Sequence, residues 1–321
     1  MFNYKKTAEK ILTYSPSSVC KYKILTEILN MDTNSKEIKK LRQQVNESKW
    51  VKDIVNEQRS DGSWGRFHSQ NSKIKQKYST TEKSVNYLNY LGLKRGDNSV
   101  DRVCNYMESL LNDLSLWPDS WEDNKWYKPG APLFASSKLS VFGSSDKRYK
   151  EICEKWIHIL SESFSDGKYS ESKANSIGEK LLGVDIHDRY IGLNSTYNLT
   201  LYSNNTHKIP KEIQRYYLHW LHTNPKNICY KISTPSKKPN QIDNVGELSD
   251  WIIVMKLLSN FDGFYDEFRD ELQWLINSSD DKGLWDLDKA LSKYKLSDNW
   301  RSSINRKIDQ TIYVLSIFRN Y

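Results

Sequence analysis

The stretch Gln58-Arg59-Ser60-Asp61-Gly62-Ser63-Trp64-Gly65 decides how the rest of this chain is read. Asp-Gly is turn chemistry. The carboxylate bonds nearby backbone amides, and the glycine accepts the left-handed conformation that ends a helix. Trp64 buries a large ring and needs a partner for its indole N–H. Similar punctuation recurs: Trp117 in LSLWPD, Tyr169 in SFSDGKYS, Tyr230 in NPKNICY and Trp285 in SSDDKGLWD. By subtraction the marks lie 53, 52, 61 and 55 residues apart. Five turns at a near-constant period read as an internal repeat.

Around the marks the chain alternates helix, short turn and helix. Segments 17–30 and 35–56 carry apolar residues at helical spacing, among them Val19, Tyr22, Ile24, Leu25, Ile28 and Leu29. The same reading gives helical pairs at 80–92 with 99–113, 130–143 with 148–164, 194–204 with 210–222 and 246–260 with 265–277, and a last helix at 304–319. The breaks inside the pairs (LKRGDN, GSSDKR, NNTHKI, NFDGF) suit antiparallel neighbours. The expected fold is all-α: an (α/α) toroid or barrel of about five to six helical hairpins, with an open solenoid as the alternative. Residues 1–321 read as one domain, with 1–16 as a peripheral N-terminal helix. The other connections are long: 66–79, 118–129, 170–193, 231–245 and 286–303. Successive helices alternate direction, so these loops gather at one end. Long polar loops in a repeat array are where function is expected.

Composition narrows the class. Hydrophobic residues make up 37% of the 321-residue chain, yet aromatics reach 12%, which excludes disorder. Scarce Gly and Pro (13 and 8) argue against a turn-rich all-β protein. No apolar run is long enough to span a membrane, and residues 1–18 lack the apolar core of a secretion signal. The expected location is cytoplasmic, with Cys20, Cys104, Cys153 and Cys229 reduced and packed. His219 and His222 precede Cys229 without a zinc spacing, and no metal-ligand set is read. The net charge of +8 comes from lysines scattered along the chain without a block of five like charges. A nucleic-acid partner is therefore not expected. The oligomeric state stays open.

Gln58-x-x-x-Gly62-x-Trp64 resembles the QW motif of squalene–hopene and oxidosqualene cyclases, whose toroid is shared by protein prenyltransferase β subunits. Residues 279–285 are a degenerate copy, with Gly283 and Trp285 in place but Ser279 for Gln. Residues 163–169 keep Gly167 and have Tyr169 for Trp. The motif is good only near 58–64, while the repeat spans most of the chain. The resemblance implies an α/α toroid that binds a small hydrophobic or diphosphate substrate in a central aromatic cavity, with magnesium accompanying the diphosphate. The catalytic signatures of these families are missing. Neither DxDD nor DDxxD occurs, and no Asp-x-Cys zinc motif is present.

Candidate site residues lie on the long loops. The densest group is Asp185, His187, Asp188, Arg189, Tyr190, Asn194, Tyr197 and Asn198. An Asp–His pair suits acid–base work, and arginine holds carboxylate or phosphate bidentately. Asp185, His187, Asp188 and Asp298 are the catalytic candidates. Arg66, His68, Trp117, Trp121, Arg189, Tyr190, Asn194, Trp300 and Arg301 are the substrate-binding candidates. Arg66 and His68 precede Thr80, Thr81 and Glu82, where a threonine cap opens a helix. Rim tryptophans suit a planar, apolar or sugar-like group. Three functions compete: an isoprenoid enzyme of the cyclase or prenyltransferase type, a carbohydrate-active (α/α) barrel such as a polysaccharide lyase, and a non-catalytic scaffold.

Overall fold

The structure, a computed structural model, describes residues 2–69, 73, 75–119, 125–186, 191–224, 235, 237–238, 241–242 and 244–321. The described residues form helices and turns, with no strand among them. In chain order the α-helices are α1 (Tyr4–Leu12), α2 (Ser18–Lys23), α3 (Lys36–Asn46), α4 (Lys49–Asn56), α5 (Thr81–Tyr90), α6 (Asn98–Asn112), α7 (Tyr127–Phe142) and α8 (Lys147–Ser163). They continue as α9 (Glu171–Leu182), α10 (Thr196–Ser203), α11 (Lys211–Thr223), α12 (Val245–Leu258), α13 (Phe264–Glu267), α14 (Arg269–Asn277) and α15 (Ser303–Ile317). A π-helical turn, Ile24–Ile28, prolongs α2. None of the helices is long and apolar enough to cross a membrane.

Local sequence explains where the helices start. Ser17, Ser35, Thr80, Asp146, Ser195 and Asn244 each accept a hydrogen bond from an amide three residues on. This satisfies donors that the first helical turn leaves unpaired. Four details differ from the sequence reading. The helix expected over 35–56 is divided at Glu47 and Ser48, where Ser48 takes extended backbone (ψ 150°) and starts α4. The helix expected over 265–277 is divided at Phe268, at φ −107° and ψ 30°. The run 170–193, read as loop, contains α9, which Ser170 caps and Gly183 closes at φ +73°. Helix α7 also starts earlier than the expected residue 130; Pro129 falls in its first turn, where no amide is needed, and Pro132 lies inside it.

Two kinds of helix alternate. In α10, every residue from Tyr197 to Ser203 is buried, and in α15 every residue from Ile308 to Ile317. In α3, by contrast, only Ile38, Leu41 and Val45 are buried, a single stripe. Helix α7 packs against α5 and α10, α10 against α12, and α12 against α15. Helix α15 in turn packs against α1, α2 and the π-helical turn, and α4 against α5. The two ends of the chain meet: the Tyr4 hydroxyl donates to the Arg319 carbonyl at 3.4 Å, and the Trp50 indole to the Ser297 carbonyl at 2.9 Å.

Of the five turns that punctuate the sequence, those at Trp64 and Trp285 share one geometry, Trp117 follows a 3-10 turn instead, and Tyr230 lies outside the described residues. In the first, Gly62 N–H donates to Arg59 O at 3.0 Å and Arg59 N–H to Ser63 O at 2.9 Å. In the last, Gly283 N–H donates to Asp280 O and Asp280 N–H to Leu284 O, both at 2.8 Å. Trp64 is fully buried, and its indole donates to the Ile54 carbonyl at 2.9 Å. Trp285 is equally buried and donates to the Leu275 carbonyl, ten residues back as in the first turn, at 2.7 Å. The Gln58 amide donates to the carbonyls of Gly62 and Ser99, both at 2.9 Å, and so joins its own turn to α6. Gly62 sits at φ +92°, and a Cβ there would come within 2.4 Å of the Arg102 carbonyl oxygen. No side chain fits.

Candidate active site in a polar cavity

The first turn places the first functional side chain. Trp64 N–H donates to the Thr81 hydroxyl at 3.0 Å, and the carbonyls of Arg66 and Phe67 accept from the amides of Thr81 and Glu82 at 2.9 and 3.1 Å. Residues 66–68 therefore run beside the start of α5. From the next long loop, Asp119 gathers the amides of Phe67 (3.1 Å), His68 (2.8 Å) and Ser69 (3.4 Å). Burial raises the Asp119 carboxyl even against these three donors. The loop is thus held on both sides, and His68 is set against Glu82 in the first turn of α5.

Tyr197 arrives from the first turn of α10, which Ser195 caps. Its hydroxyl lies 2.8 Å from His68 Nδ1 and donates to Glu82 Oε2 at 2.8 Å. His68 Nδ1 is itself 3.3 Å from Glu82 Oε2. Burial works to raise the Glu82 carboxyl, but the His68 hydrogen bond and the Lys138 charge outweigh it and hold it below the usual carboxylate range. An ionised Glu82 only accepts. Nδ1 of His68 must then carry a proton, and in the neutral ring Nε2 carries the basic lone pair.

Helix α7 supplies the remaining wall. Phe134 stacks on Tyr197 at 4.1 Å between ring centres, and one turn further Lys138 donates to Asn86 Oδ1 at 3.1 Å. The Lys138 ammonium lies 5.6 Å from the Tyr197 ring centre and is only 4% exposed. Burial pushes Lys138 below the usual lysine range, with Glu82 pulling the other way.

His68, Glu82, Tyr197 and Lys138 line a cavity of about 250 Å³ between α5, α7, α10 and α12. Asn86, Asn89, Thr196, Thr200 and Asp250 add polar groups; Val141, Ile253 and Leu257 add the apolar share. Tyr90 and Tyr294, whose rings lie 4.3 Å apart, also line it. Behind Tyr90, the Lys256 ammonium lies 5.4 Å from that ring's centre and 5.9 Å from the centre of Tyr313. Burial, then the neighbouring Lys23, lower the Lys256 amine to about 7, although Glu27 opposes them. Lys23 itself is bridged to Glu27 at 2.7 Å. The cavity can therefore bind hydroxyls, neutralise an anion and move a proton.

The sequence-predicted residues are spread over several places. His68 is at the cavity. Asp185 bridges to Lys125 at 2.5 Å. With Asn194 it lines a different cavity, of about 340 Å³, beside the stacked rings of Tyr169 and Trp220. Asp298 accepts from the Lys49 amide at 3.1 Å, so it caps α4. Trp117 is buried against Phe67, with ring centres 4.7 Å apart, and serves packing. Trp300 lies under Lys295 (5.2 Å) and Arg306 (5.8 Å), and Arg301 is exposed. Arg66 contributes its carbonyl to the start of α5 and makes no ion pair among the described residues. Trp121, His187, Asp188, Arg189 and Tyr190 lie outside the described residues, as do Cys229 and Tyr230. His219 and His222 turn to Glu267, at 3.2 and 2.8 Å. Cys20, Cys104 and Cys153 are free and buried.

Sequence reasoning missed Lys138. Its signal is a lone cation in the small and apolar run ASSKLSVF, where a solvated surface would carry more charge. Comparison with protein-family models, curated proteins and solved structures finds no match.

Proposed function

We propose that the hairpins form a single α/α toroid and that its central cavity is the active site of a general acid–base enzyme acting on a small, hydroxylated, anionic substrate. The neighbour order α5, α7, α10, α12, α15 and back to α2 supports the ring. The observation that carries the function is the Tyr197 hydroxyl, 2.8 Å from both His68 and Glu82 in the wall of a polar cavity, with Lys138 buried beside it. His68 and Tyr197 are the proton-transfer groups, Glu82 fixes the tautomer and orientation of His68, and Lys138 stabilises negative charge that develops on the substrate.

Of the functions that the sequence leaves open, the asparagines, threonines and Asp250 favour the carbohydrate-type substrate over a prenyl chain, which asks for apolar walls. Tyr and His as proton carriers are also the residue types used by lyases built on this kind of barrel. The tyrosines at the floor keep an isoprenoid reading in play, because aromatic faces stabilise cations.

The test is a substrate screen in D2O with uronates, hexose phosphates and the geranyl, farnesyl and geranylgeranyl diphosphates, read by mass spectrometry and by unsaturated-uronate absorbance. Turnover or deuterium incorporation is expected for a hydroxylated acid or phosphate, and its loss in Tyr197→Phe and His68→Asn. Turnover that survives both substitutions would move the chemistry out of this cavity; an inert protein across the whole panel would favour the scaffold.

A further inference from the structure

A second cavity adjoins the first. It measures about 440 Å³ and lies between the first long loop and the last, bounded by Trp50, Tyr78 and Tyr87 on one side and residues 292–295 on the other. Four lysines line it (Lys77, Lys83, Lys293 and Lys295), and no carboxylate does. Lys77 is neutralised by Asp53 at 2.5 Å. Lys83, Lys293 and Lys295 have no carboxylate partner among the described residues, and the nearest carboxylates, Asp53 and Glu57, are bonded to Lys77 and to the amides of Lys77 and Tyr78. Lys295 is held in place over the rings of Trp50 (5.4 Å) and Trp300 (5.2 Å), and the Tyr87 hydroxyl fixes its carbonyl at 2.8 Å.

A second observation points to a ligand. Tyr78 lines this cavity, is 8% exposed, and its buried hydroxyl has no hydrogen-bond partner. A buried phenol left unpaired is destabilising, and an acceptor oxygen from a bound molecule would satisfy it. Lys83 and Tyr294 line both cavities, so the two spaces share a wall.

We infer that this lysine-lined cavity binds the phosphate group of a phosphorylated, hydroxylated small molecule. Lys83, Lys293 and Lys295 carry the charge, and the hydroxylated portion reaches past Tyr294 into the central cavity. Two or three negative charges on the ligand match the three ammonium groups that lack a carboxylate partner. Lysine suits this role as a mobile point charge that follows a phosphate group. The inference deepens the proposed function by naming the substrate class, yet phosphate binding is measurable without any turnover.

Isothermal titration at constant ionic strength would use inorganic phosphate, inorganic pyrophosphate, glucose 6-phosphate and glucose, with sulfate as a charge control. Pyrophosphate and glucose 6-phosphate are expected to bind one shared site, each more tightly than inorganic phosphate, with sulfate, a dianion of the same shape, about as weak as inorganic phosphate. The double variant Lys293→Gln/Lys295→Gln changes one exposed and one half-buried side chain; glutamine keeps part of the aliphatic stem over Trp50 and Trp300, so the folded state should persist, checked by its melting temperature, while affinity for both falls at least about tenfold. Tyr78→Phe should weaken them less. Tyr197→Phe should leave pyrophosphate binding within about twofold, because its hydroxyl faces the other cavity; loss of chemistry with phosphate binding retained therefore separates the two proposals. Absence of saturable binding, or binding that the double variant leaves unchanged, overturns the site. Pyrophosphate binding with no gain for glucose 6-phosphate over inorganic phosphate overturns the hydroxylated substrate.

Discussion

The turns at Trp64 and Trp285 are the same device used to two ends. Both bury the indole, both donate from it to a carbonyl ten residues earlier, and both donate from the tryptophan amide to a threonine hydroxyl, Thr81 or Thr311, at 3.0 Å. The loops leaving the two tryptophans differ. After Trp64 the chain presents His68 to Glu82 and Tyr197 at the cavity. After Trp285 it is tied down. Gln310 accepts from the Leu287 amide and donates to the carbonyls of Asp288 and Ala290, all at 3.0 Å. Asp309 accepts from the amides of Leu296 and Ser297, the Ser297 hydroxyl and the Cys20 thiol. One carboxylate is shared with groups that can move protons; the other is occupied in holding a loop. The turn is shared, and the side chains on the neighbouring helix decide whether the loop after it faces a cavity or is tied down.

The comparison breaks first if the two turns are not equivalent. Trp64→Ala and Trp285→Ala should each cost about 3–5 kcal/mol in urea unfolding, since each empties a fully buried site. A large difference between them would mean that the resemblance of the turns is only geometric. Next in size, Asp309→Asn should cost roughly 1–3 kcal/mol, because the amide keeps one acceptor oxygen where the carboxylate has two and serves four donors. Glu82→Gln should cost less than about 1 kcal/mol, as the amide oxygen still accepts from Tyr197. If Glu82→Gln were the more destabilising of the two, the assignment of roles would be reversed.

Their pH signatures have opposite sign. Glu82 has its folded value depressed, chiefly by His68 and Lys138 working against burial. Its contribution is present above the ordinary carboxylate pKa, about 4, and is lost as pH falls through the folded value. Burial raises Asp309, and the hydrogen bonds from Ser297 and Leu296 only partly offset it. Its contribution is full below about pH 4 and declines as pH rises through the raised folded value. Urea midpoints measured from pH 3 to 7 should therefore lose a rising limb in Glu82→Gln and a falling limb in Asp309→Asn. The smallest effect on stability is expected for Tyr197→Phe, within about 1 kcal/mol, while turnover should fall by about 10²–10⁴-fold if the phenol transfers a proton.

Part of the site is legible in the sequence. Thr80, Thr81 and Glu82 read as a capped helix start, and they are one. His68 stands out as a polar residue in the first long loop, and Tyr197 as one at a helix start. Their meeting is not legible. His68 lies 129 positions from Tyr197 and 14 from Glu82 in sequence, and no periodicity links the three. The candidates Asp185 and Asp298 have the right chemistry for catalysis, yet one is bridged to a lysine and the other caps α4. A carboxylate in a loop looks the same in sequence whether it faces a cavity or an amide.

By itself the sequence determined the helical class, most helix boundaries and the likeness of the turns at Trp64 and Trp285, because caps, apolar spacing and glycine turns act over a few residues. Only the tertiary structure decided which helices are buried all round, which loop residues face inward and which lysines lack a partner. Those outcomes depend on contacts between segments far apart in the chain, and a lysine carries no local mark of the neighbours that would neutralise it.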